Sequence, residues 1–584
     1  MLTLYENAVE IIVTGKPNEI DTLVNAFKFK VEGHYFALSY QRFKVSGGDE
    51  GWDGYSYPFR RINSTSAKVL RGRKEEVIQH AEMEGFKVDL SHLLEYPLAD
   101  LEIDDVRGDL VTGEHELDMN QRQCILDWLR AGIGFNKVTV GGGKTLTYAG
   151  AAALIKEKYP EARFLYITPS ERLVRQVTRE MRKFLPRFEI GQCGGGHREF
   201  DAKDMVVCTV AMLNRHFIAL KNNGFLDSFM AILYDECHHS GSKSSKKILM
   251  AIPAYFRLGA SDTDKEGDLV RYNEVRGLFG PMLNDIKASP LINIGRLARP
   301  HIYVVDVPDW VGRFKEVPFR PAAGSPAFML LDGSWVKASY VSPVYEVDSK
   351  GATKMKSVKT ADKDENGEWI VTQEPVVSPG LHRLNIAGVE HEIESRWCLL
   401  DRMYDRAIIQ FKKRNAMIVA WAKYFQRKGW SMVVVATRTT HVYILESLIQ
   451  DALEKDTVNI LVGDDSPARR DAIFDWFKAT PGCCLVTPLI KEGVSIHEIR
   501  AMIVADHVAD FEVARQIIGR AMRPKQGEDN RARVIWFWDK QHPVLRKGCA
   551  QVLNRLERVE GYKFFHPCAG PETVFPDDFR SSVM

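Results

Sequence analysis

The amino-acid sequence predicts an α/β protein with two parallel-sheet lobes, a small N-terminal α/β domain and a β-rich insertion. Three observations predict it. Apolar strands alternate with helical patterns between about residues 113 and 308, and the same rhythm resumes near Trp430, as in doubly wound parallel sheets. Between those blocks, residues 312 to about 395 alternate with period two and carry the turn pairs Asp332-Gly333, Lys350-Gly351 and Asn366-Gly367, a hairpin signature. Finally, a glycine-rich turn, Val138-Thr-Val-Gly-Gly-Gly-Lys-Thr145, follows the first strand of the first block, and an apolar strand about ninety residues later ends in Asp235-Glu236.

At 584 residues the chain is too long for one core. An apolar content of 45% and a charged content of 27% describe a globular protein. The net charge of +2 excludes a global positive field, so nucleic-acid contact would have to come from local basic grooves. Nine cysteines without a C-x-x-C pair argue for reduced thiols and against a disulfide framework or a structural zinc site. The N-terminus lacks a signal-peptide pattern and no apolar run reaches membrane-spanning length. A soluble protein of the cytoplasm is expected, with no membrane partner.

Residues 1–112 read as the small module, with a strand at Ile11–Thr14, helices over Glu19–Lys28 and Lys74–Gly85, and a tight turn at Gly51-Trp52-Asp53-Gly54. The polar stretch Asp104–Glu116 reads as a linker. The first lobe is expected over 113–311, with strands at Lys137–Val140, Phe164–Thr168, Met205–Thr209, Ala231–Tyr234, Phe256–Gly259 and Ile302–Val307. The insertion follows over 312–395, the second lobe over 396–545 and a C-terminal extension over 546–584. Second-lobe strands are expected at Trp430–Ala436, Asn459–Val462, Cys483–Thr487, Ala501–Ala505 and Arg533–Trp538.

The glycine turn is a candidate phosphate cradle. Gly141, Gly142 and Gly143 let the main chain approach phosphate oxygens, and the following helix N-terminus attracts anions. Lys144 would neutralise the β- and γ-phosphates of ATP, and the Thr145 hydroxyl would hold Mg²⁺. Asp235 would orient the same metal, and Glu236 would polarise the attacking water. Val138 stands where the strict phosphate-loop pattern has its first glycine, and taken singly each motif also fits an ordinary turn or a solvated strand end. Their order and spacing favour a nucleotide-hydrolysing cleft. Gly194-Gly195-Gly196-His197 lacks a following Lys-Thr and is expected to be a mobile loop. Asp362–Gly367 opens like a calcium loop, but Gln373 occupies the position of the bidentate glutamate, so a hairpin is expected.

Over about residues 113–540 the order of motifs resembles the superfamily 2 helicases, whose two lobes are RecA-like. Gln121 occupies the place of the adenine-reading glutamine, with Asn120 before it where an aromatic residue is usual. Thr168-Pro169-Ser170-Glu171-Arg172-Leu173-Val174-Arg175-Gln176 looks like the first strand-contacting motif, and Cys208-Thr209-Val210 like the second. The resemblance thus implies nucleic-acid contacts for Pro169, Ser170, Arg172, Gln176 and Thr209, and for Arg438 and Thr487 in the second lobe. Ser261-Asp262-Thr263 sits at the coupling motif, with Asp262 in place of the usual alanine. His238, Ser261, Thr263 and Gly493 are the implied coupling residues, His238 reaching toward Gln516 or the Ser261 segment; Ser495 replaces the usual aspartate after Gly493. Gln516-Ile-Ile-Gly-Arg520-Ala-Met-Arg523 matches the motif whose two arginines, spaced about one turn apart, act on the γ-phosphate; a surface salt-bridge ladder is the bland alternative.

Arg42-Phe43-Lys44 and Gly51-Trp52-Asp53-Gly54-Tyr55 resemble the N-terminal domain of the phage UvsW-type group, which processes branched DNA, as does Ala288–Gly295 its segment after the coupling motif. On that resemblance the basic run Arg60, Arg61, Lys68, Arg71, Arg73 and Lys74 would cradle duplex phosphates. Trp52 would stack on a base at a fork or anchor its own turn. The expected function is an ATP- and Mg²⁺-dependent DNA helicase acting on single-stranded, forked or branched DNA in replication, recombination or repair. If the chain is encoded by a bacteriophage, the compartment is the host cytoplasm. The alternatives are the motor of a restriction or defence assembly with a protein partner at residues 312–395, an RNA helicase, or a DNA-binding scaffold with weak ATPase.

Overall fold

The computed structural model describes residues 1–31, 38–45, 52–96, 98–112, 116–263, 269–307, 404–463, 465–488, 499–525, 530–539, 543–568 and 570–571, and strands alone between 327 and 394. Gly493 and Ser495 lie outside the described residues. The chain divides into two compact units, one formed by Met1–Arg299 with Arg515–Arg531, the other by the rest of the described chain from Pro300 onward.

In the first unit the N-terminal module contains β1 (Leu2–Glu6), β2 (Glu10–Thr14), β3 (Phe29–Lys30), β4 (Tyr55–Ser56), β5 (Arg60–Asn63), β6 (Ser66–Leu70) and β7 (Val88–His92). Five of these form one sheet in the order β5-β6-β2-β1-β7, and β3 pairs with β4. The alternation in β1 and β2 turns Leu2, Leu4, Ile11 and Val13 inward, where they meet Ile20 and Leu23 of helix Pro17–Ala26 and Val77 and Ala81 of helix Lys74–Met83.

The basic run does not form a phosphate cradle. Arg71 is buried, donating to the Glu6 carboxylate at 2.9 Å and to the Tyr255 carbonyl at 2.6 Å. Arg73 is held by Glu76 and by Asn273, and Lys74 by the Tyr96 hydroxyl at 2.7 Å. Lys68 pairs with Glu10 at 2.9 Å, and Arg61 with Asp21. Burial and carboxylate partners explain the correction: Arg71 and Arg73 reach Tyr255 and Asn273 and fasten the module to the main-sheet part of the unit, while Lys74 is held within the module. Between them Gly72 lies so close to helix Leu269–Phe279 that an added Cβ would fall on backbone atoms of Arg276, Gly277 and Gly280.

The main sheet of the first unit is built from β8 (Ile133–Val138), β9 (Phe164–Thr168), β10 (Ile190–Gly194), β11 (His197–Arg198), β12 (Met205–Thr209), β13 (Ala231–Asp235), β14 (Phe256–Ser261) and β15 (Met282–Ile286), in the order β11-β10-β12-β9-β13-β14-β8-β15. All pairings are parallel except β10 with β11. Both faces of the central strands are covered, so β9, β12 and β13 are buried, largely apolar runs, as buried parallel strands must be. Strand β8 begins earlier than the sequence suggests because polar Asn136 is fully buried within it, hydrogen-bonded to Asn284. Gly195 and Gly196, both at positive φ, form a tight two-residue turn between β10 and β11 rather than a mobile loop. The stretch from Asp104 is not a free linker: Val106, Leu110 and Val111 are buried in the core, and Thr112 donates to the Phe184 carbonyl at 2.9 Å.

In the second unit β16 (Arg299–Asp306) corrects the expected lobe boundary at 311. It covers Ile302–Asp306 of the predicted Ile302–Val307 strand, yet from Pro300 on it belongs to this unit's sheet. That sheet also holds β25 (Met432–Val435), β26 (Val458–Ile460), β27 (Cys484–Thr487), β28 (Ala501–Val504), β29 (Arg531–Trp538) and β30 (Lys563–Cys568), in the order β26-β27-β25-β28-β29-β16-β30. The segment expected as a separate C-terminal extension therefore supplies an edge strand, paired parallel to β16. Arg414, fully buried, pairs with Asp539 at 2.9 Å and donates to the Ala505 carbonyl at 2.6 Å, tying helix Lys412–Arg427 to the carboxyl ends of this unit's strands.

Within the insertion the strands β17 (Ala327–Met329), β18 (Trp335–Lys337), β19 (Val344–Val347), β20 (Thr353–Ser357), β21 (Asp362–Lys363), β22 (Trp369–Ile370), β23 (Leu381–Ile386) and β24 (Val389–Glu394) are described. Each predicted turn pair falls between antiparallel partners: β17 with β18, β19 with β20, and β21 with β22. The last pairing joins Asp362–Lys363, at the start of the calcium-like segment, to Trp369–Ile370 beyond it; residues 364–368 lie outside the described residues.

Because Gly72 admits no side chain, Gly72→Ala is expected to destabilise the protein by about 1–3 kcal/mol, the usual cost of overpacking a tight contact. Urea denaturation measures it, and an unchanged midpoint would show that the module is not held at this point.

Candidate active site

The carboxyl ends of parallel strands are where doubly wound sheets bind ligands, and here β8, β14, β13, β9 and β12 end along one edge. The registers Ser261↔Lys137, Asp235↔Ala260 and Thr209↔Thr168 bring their terminal residues level. After β8 the chain turns through Gly141 at φ 78° and Gly143 at φ 82°, left-handed conformations that favour glycine. Gly143 is also the N-cap of helix Lys144–Lys158. The turn is shallow because nothing can stand on it: a Cβ on Gly143 would fall on the Gln121 amide nitrogen, and one on Gly142 would lie 2.6 Å from Val138 Cγ1. That helix carries Ala149-Gly150-Ala151-Ala152-Ala153 and packs closely; a Cβ on Gly150 would lie 2.7 Å from Ile125 Cδ1.

Lys144 Nζ lies 2.5 Å from Glu236 Oε1 and 4.0 Å from Asp235 Oδ1. Burial alone would lower the lysine pKa, but the Glu236 and Asp235 carboxylates outweigh it and hold the ammonium well above its ordinary value. Burial pushes Asp235 upward, with Lys144 opposing and Glu236 reinforcing the rise. Glu236 goes the other way: burial would raise it, yet Lys144 and His238 hold it well below the carboxylate range. The two acids are therefore unlike, with Glu236 the ionised member.

Glu236 adopts φ 52° and ψ 52°, a left-handed conformation rare for a non-glycine residue. Its N–H donates to Asp235 Oδ1 at 3.1 Å, while Ser261 Oγ donates to Glu236 Oε2 at 3.2 Å. His238 Nδ1 meets Ser261 Oγ at 2.6 Å, and the Thr263 N–H donates to that same oxygen at 3.1 Å. His238 thus joins the strand end after β13 to the Ser261–Thr263 segment after β14, as expected for one of its two proposed partners. Asp262 is buried, and burial, then repulsion from Glu236, raises its pKa against the attraction of Lys144, Arg515 and His238.

The Thr145 hydroxyl and the Asp235 carboxylate would be hard oxygen ligands of the kind Mg²⁺ takes, with water and phosphate oxygens completing the set. Such an ion, when bound, would neutralise charge on the phosphates. The glycine turn fits a phosphate chain because its three glycines put no side chain of their own between the main chain and a phosphate oxygen.

Gln121 is placed beside the turn but already engaged. Its side-chain oxygen accepts from Asp118 N–H at 3.1 Å, closing a capping box, and its amide nitrogen donates to the Gly143 carbonyl at 3.4 Å. Arg296, which the sequence did not single out, pairs with Asp118 at 3.1 Å beside this cap. Its position 175 residues from Gln121 left no local signal.

The segment Arg515–Arg531 groups with the first unit. A Cβ on Gly519 would lie 2.7 Å from Val140 Cβ, so the helix carrying Gln516 and Arg520 presses on the residue preceding the glycine turn. The Met522 carbonyl accepts the Ala298 N–H at 2.6 Å. Burial and the neighbouring Arg520 guanidinium lower the Arg523 pKa to about 10. Two cations held this close favour an anion between or beside them.

The expected nucleic-acid contacts separate into two groups. Ser170 caps helix Glu171–Phe184, Pro169 and Arg172 are half-buried at its start, and Gln176 donates to Glu180 at 2.8 Å. Arg438 is exposed, its guanidinium over the Tyr404 ring. By contrast Thr209 is buried as the N-cap of helix Val210–Arg215, and Thr487 is fully buried, donating to the Leu461 carbonyl at 2.7 Å. Neither hydroxyl is presented at the surface. Trp52 is half-buried, and its indole N–H donates to the Tyr55 carbonyl at 2.6 Å, anchoring its own turn.

The sequence model for the res subunit of type III restriction enzymes matches residues 114–265, and that for the helicase conserved C-terminal domain matches 413–525. The chain is a helicase of superfamily 2 type. Its two α/β blocks are the RecA-like lobes of such an ATP-dependent helicase. Among solved structures, T4 UvsW is similar at 16% identity over 97% of this chain and 98% of that one, with a TM-score of 0.39. The type ISP restriction-modification enzyme LlaBIII bound to DNA is 13% identical over 81% of this helicase and 33% of that chain, TM-score 0.48. S. cerevisiae Dbp5 bound to RNA and ADP BeF3 is 11% identical over 80% and 94%, TM-score 0.46. No curated protein matches the helicase. Among the described residues, no helix is long and apolar enough to cross a membrane.

Gly143→Ala would force a left-handed alanine into the Gln121 amide. It is expected to weaken ATP binding about tenfold or more, each factor of ten corresponding to about 1.4 kcal/mol. Titration with a fluorescent ATP analogue checks this, and unchanged affinity would remove the turn from the binding site.

Proposed function

We propose that this helicase is a DNA-stimulated ATPase that moves along DNA and remodels branched or forked DNA in replication, recombination or repair, in the cytoplasm or, if phage-encoded, that of the host. The observation that carries the ATPase part is the meeting of Lys144, Asp235 and Glu236 at one strand edge, beside a glycine turn on which no side chain can stand. Lys144 neutralises the β- and γ-phosphates. Thr145 and Asp235 hold Mg²⁺. Glu236, kept ionised by Lys144 and His238, orients the attacking water and accepts its proton. Gln516, Arg520 and Arg523 stabilise charge on the transferring phosphoryl group.

Ser261 and Thr263 sense the state of Glu236 through the hydrogen bonds already described, and His238 shares that sensor. Hydrolysis removes the γ-phosphate contacts of the Arg520 helix, the kind of order change that nucleotide motors use. Pro169, Ser170, Arg172, Gln176 and Arg438 supply backbone contacts to a nucleic-acid strand. Gly493 contributes to coupling on the strength of its sequence position alone.

The choice of branched DNA rests on the resemblance of residues 42–55 and 288–295 to the UvsW-type group. It is supported by the N-terminal module being fastened to the first unit through Arg71, Gly72 and Arg73. A module fixed in this way would move with the motor instead of trailing on a tether.

Lys144→Ala is expected to lower stimulated ATP turnover about 100-fold or more, as loss of a pre-placed charge at a reacting centre does, while DNA binding stays within about threefold. Rates compared on single strands, forks, four-way junctions and matching RNAs test the substrate. Strongest stimulation by forks or junctions is expected; equal or greater stimulation by RNA would overturn the DNA assignment, and unaltered turnover in the variant would overturn the site.

A further inference from the structure

Arg438 follows the carboxyl end of β25 as the N-cap of helix Thr439–Gln450, and it is exposed. A long side chain at such a place has many rotamers to lose when it grips a ligand. Here one neighbour restricts it. The guanidinium lies over the Tyr404 ring, 5.6 Å from its centroid. Contact with a ring face holds a guanidinium without using up its N–H donors.

The ring is itself held. Tyr404 is half-buried, and its hydroxyl donates to Asp506 Oδ1. Asp506 is fully buried just after β28, and its Oδ2 accepts the Thr437 backbone N–H. A carboxylate buried this deeply is costly unless it is hydrogen-bonded, and these two donors meet that need, one at each oxygen. His441 Nδ1 lies 3.9 Å from Oδ1, and His441 Nε2 meets Asn415 Oδ1 at 3.1 Å. The register Val435↔Val504 brings Thr437 and Asp506 level, each two residues beyond the paired strands. One buried carboxylate therefore fixes both the backbone immediately before Arg438 and the ring that its side chain lies on.

We propose that Tyr404, anchored by Asp506, is a platform that aims Arg438 at a backbone phosphate of the bound strand. This inference rests on the reading of Arg438 as a strand contact given above. Tyr404 and Asp506 are positioning residues, and Arg438 alone meets the phosphate. A guanidinium already aimed loses less freedom on binding. The platform therefore shows itself in the affinity for nucleic acid and in the salt dependence that counts neutralised phosphates.

The test measures the dissociation constant of the full chain for a fluorescent single-stranded oligodeoxynucleotide across a salt series, with thermal melting alongside. The proteins compared are the wild type, Arg438→Ala, Tyr404→Leu, Tyr404→Phe and Tyr404→Leu/Arg438→Ala. Arg438→Ala is expected to weaken binding about tenfold and to flatten the plot of log affinity against log salt by about 0.7, the share of one single-strand phosphate. Tyr404→Leu is expected to weaken binding about threefold or more and to flatten the plot in the same direction, while the double variant binds no more weakly than Arg438→Ala. Tyr404→Phe keeps the ring and loses its anchor, so it should fall between the wild type and Tyr404→Leu. Wild-type affinity in Tyr404→Leu, a loss without flattening, losses that multiply in the double variant, or a Tyr404→Phe as weak as Tyr404→Leu would each overturn the platform. Arg438→Ala binding like the wild type would instead overturn the strand-contact reading, and the platform with it.

Discussion

The contact on which the rest of the site depends is the one between Lys144 and Glu236, with Asp235 beside it. Three charges share a pocket at the edge of a parallel sheet, and none would be tolerated there without the others. The lysine keeps Glu236 ionised despite burial, and the pair of carboxylates keeps the lysine charged. In this arrangement the Glu236 carboxylate occupies the role that phosphate oxygens would fill for the lysine on ATP binding. Transfer of Lys144 from carboxylate to phosphate would free Glu236 Oε1 for water, while Oε2 stays tied to Ser261. The left-handed backbone of Glu236 fits that reading, since strained conformations persist where surrounding structure over-determines them.

The sheet makes such convergence possible. Parallel strands bring their carboxyl ends to one edge, so residues far apart in the chain become neighbours without specialised loops. The flanking helices need only pack closely, which the small residues of Lys144–Lys158 achieve. At the other end of the same unit, Arg71, Gly72 and Arg73 carry a second kind of constraint. Close backbone approach at Gly72 and the hydrogen bonds of Arg71 to Tyr255 and Arg73 to Asn273 fasten the N-terminal module, so charges that read as a phosphate cradle are committed to that joint.

Much of this was legible in the residues. Buried parallel strands such as Phe164–Thr168 and Met205–Thr209 are continuous apolar runs, and their limits agree with the sequence expectation. The glycine turn and Asp235-Glu236 are local motifs whose spacing carries across the fold. What was not legible is non-local. Ile302–Val307 is as apolar as any first-lobe strand, and its sequence gives no sign that it pairs beside β29 and β30. Arg71 and Thr487 show the same limit for side chains: a charge or hydroxyl in the sequence is silent about whether a carboxylate or carbonyl lies waiting for it. Asp262 was visible as a departure from the family pattern, but its burial and its cationic neighbours were not.

The most direct test of the Lys144–Glu236 account is the equilibrium dissociation constant for ATP of Glu236→Gln, measured beside its single-turnover hydrolysis rate. Replacing the carboxylate with an amide removes the group that competes for the lysine and the group that accepts the proton. The account therefore predicts ATP binding at least as tight as in the wild type, with hydrolysis slowed about 100-fold or more. Hydrolysis at the wild-type rate would contradict it, and so would loss of ATP binding in a variant that remains folded.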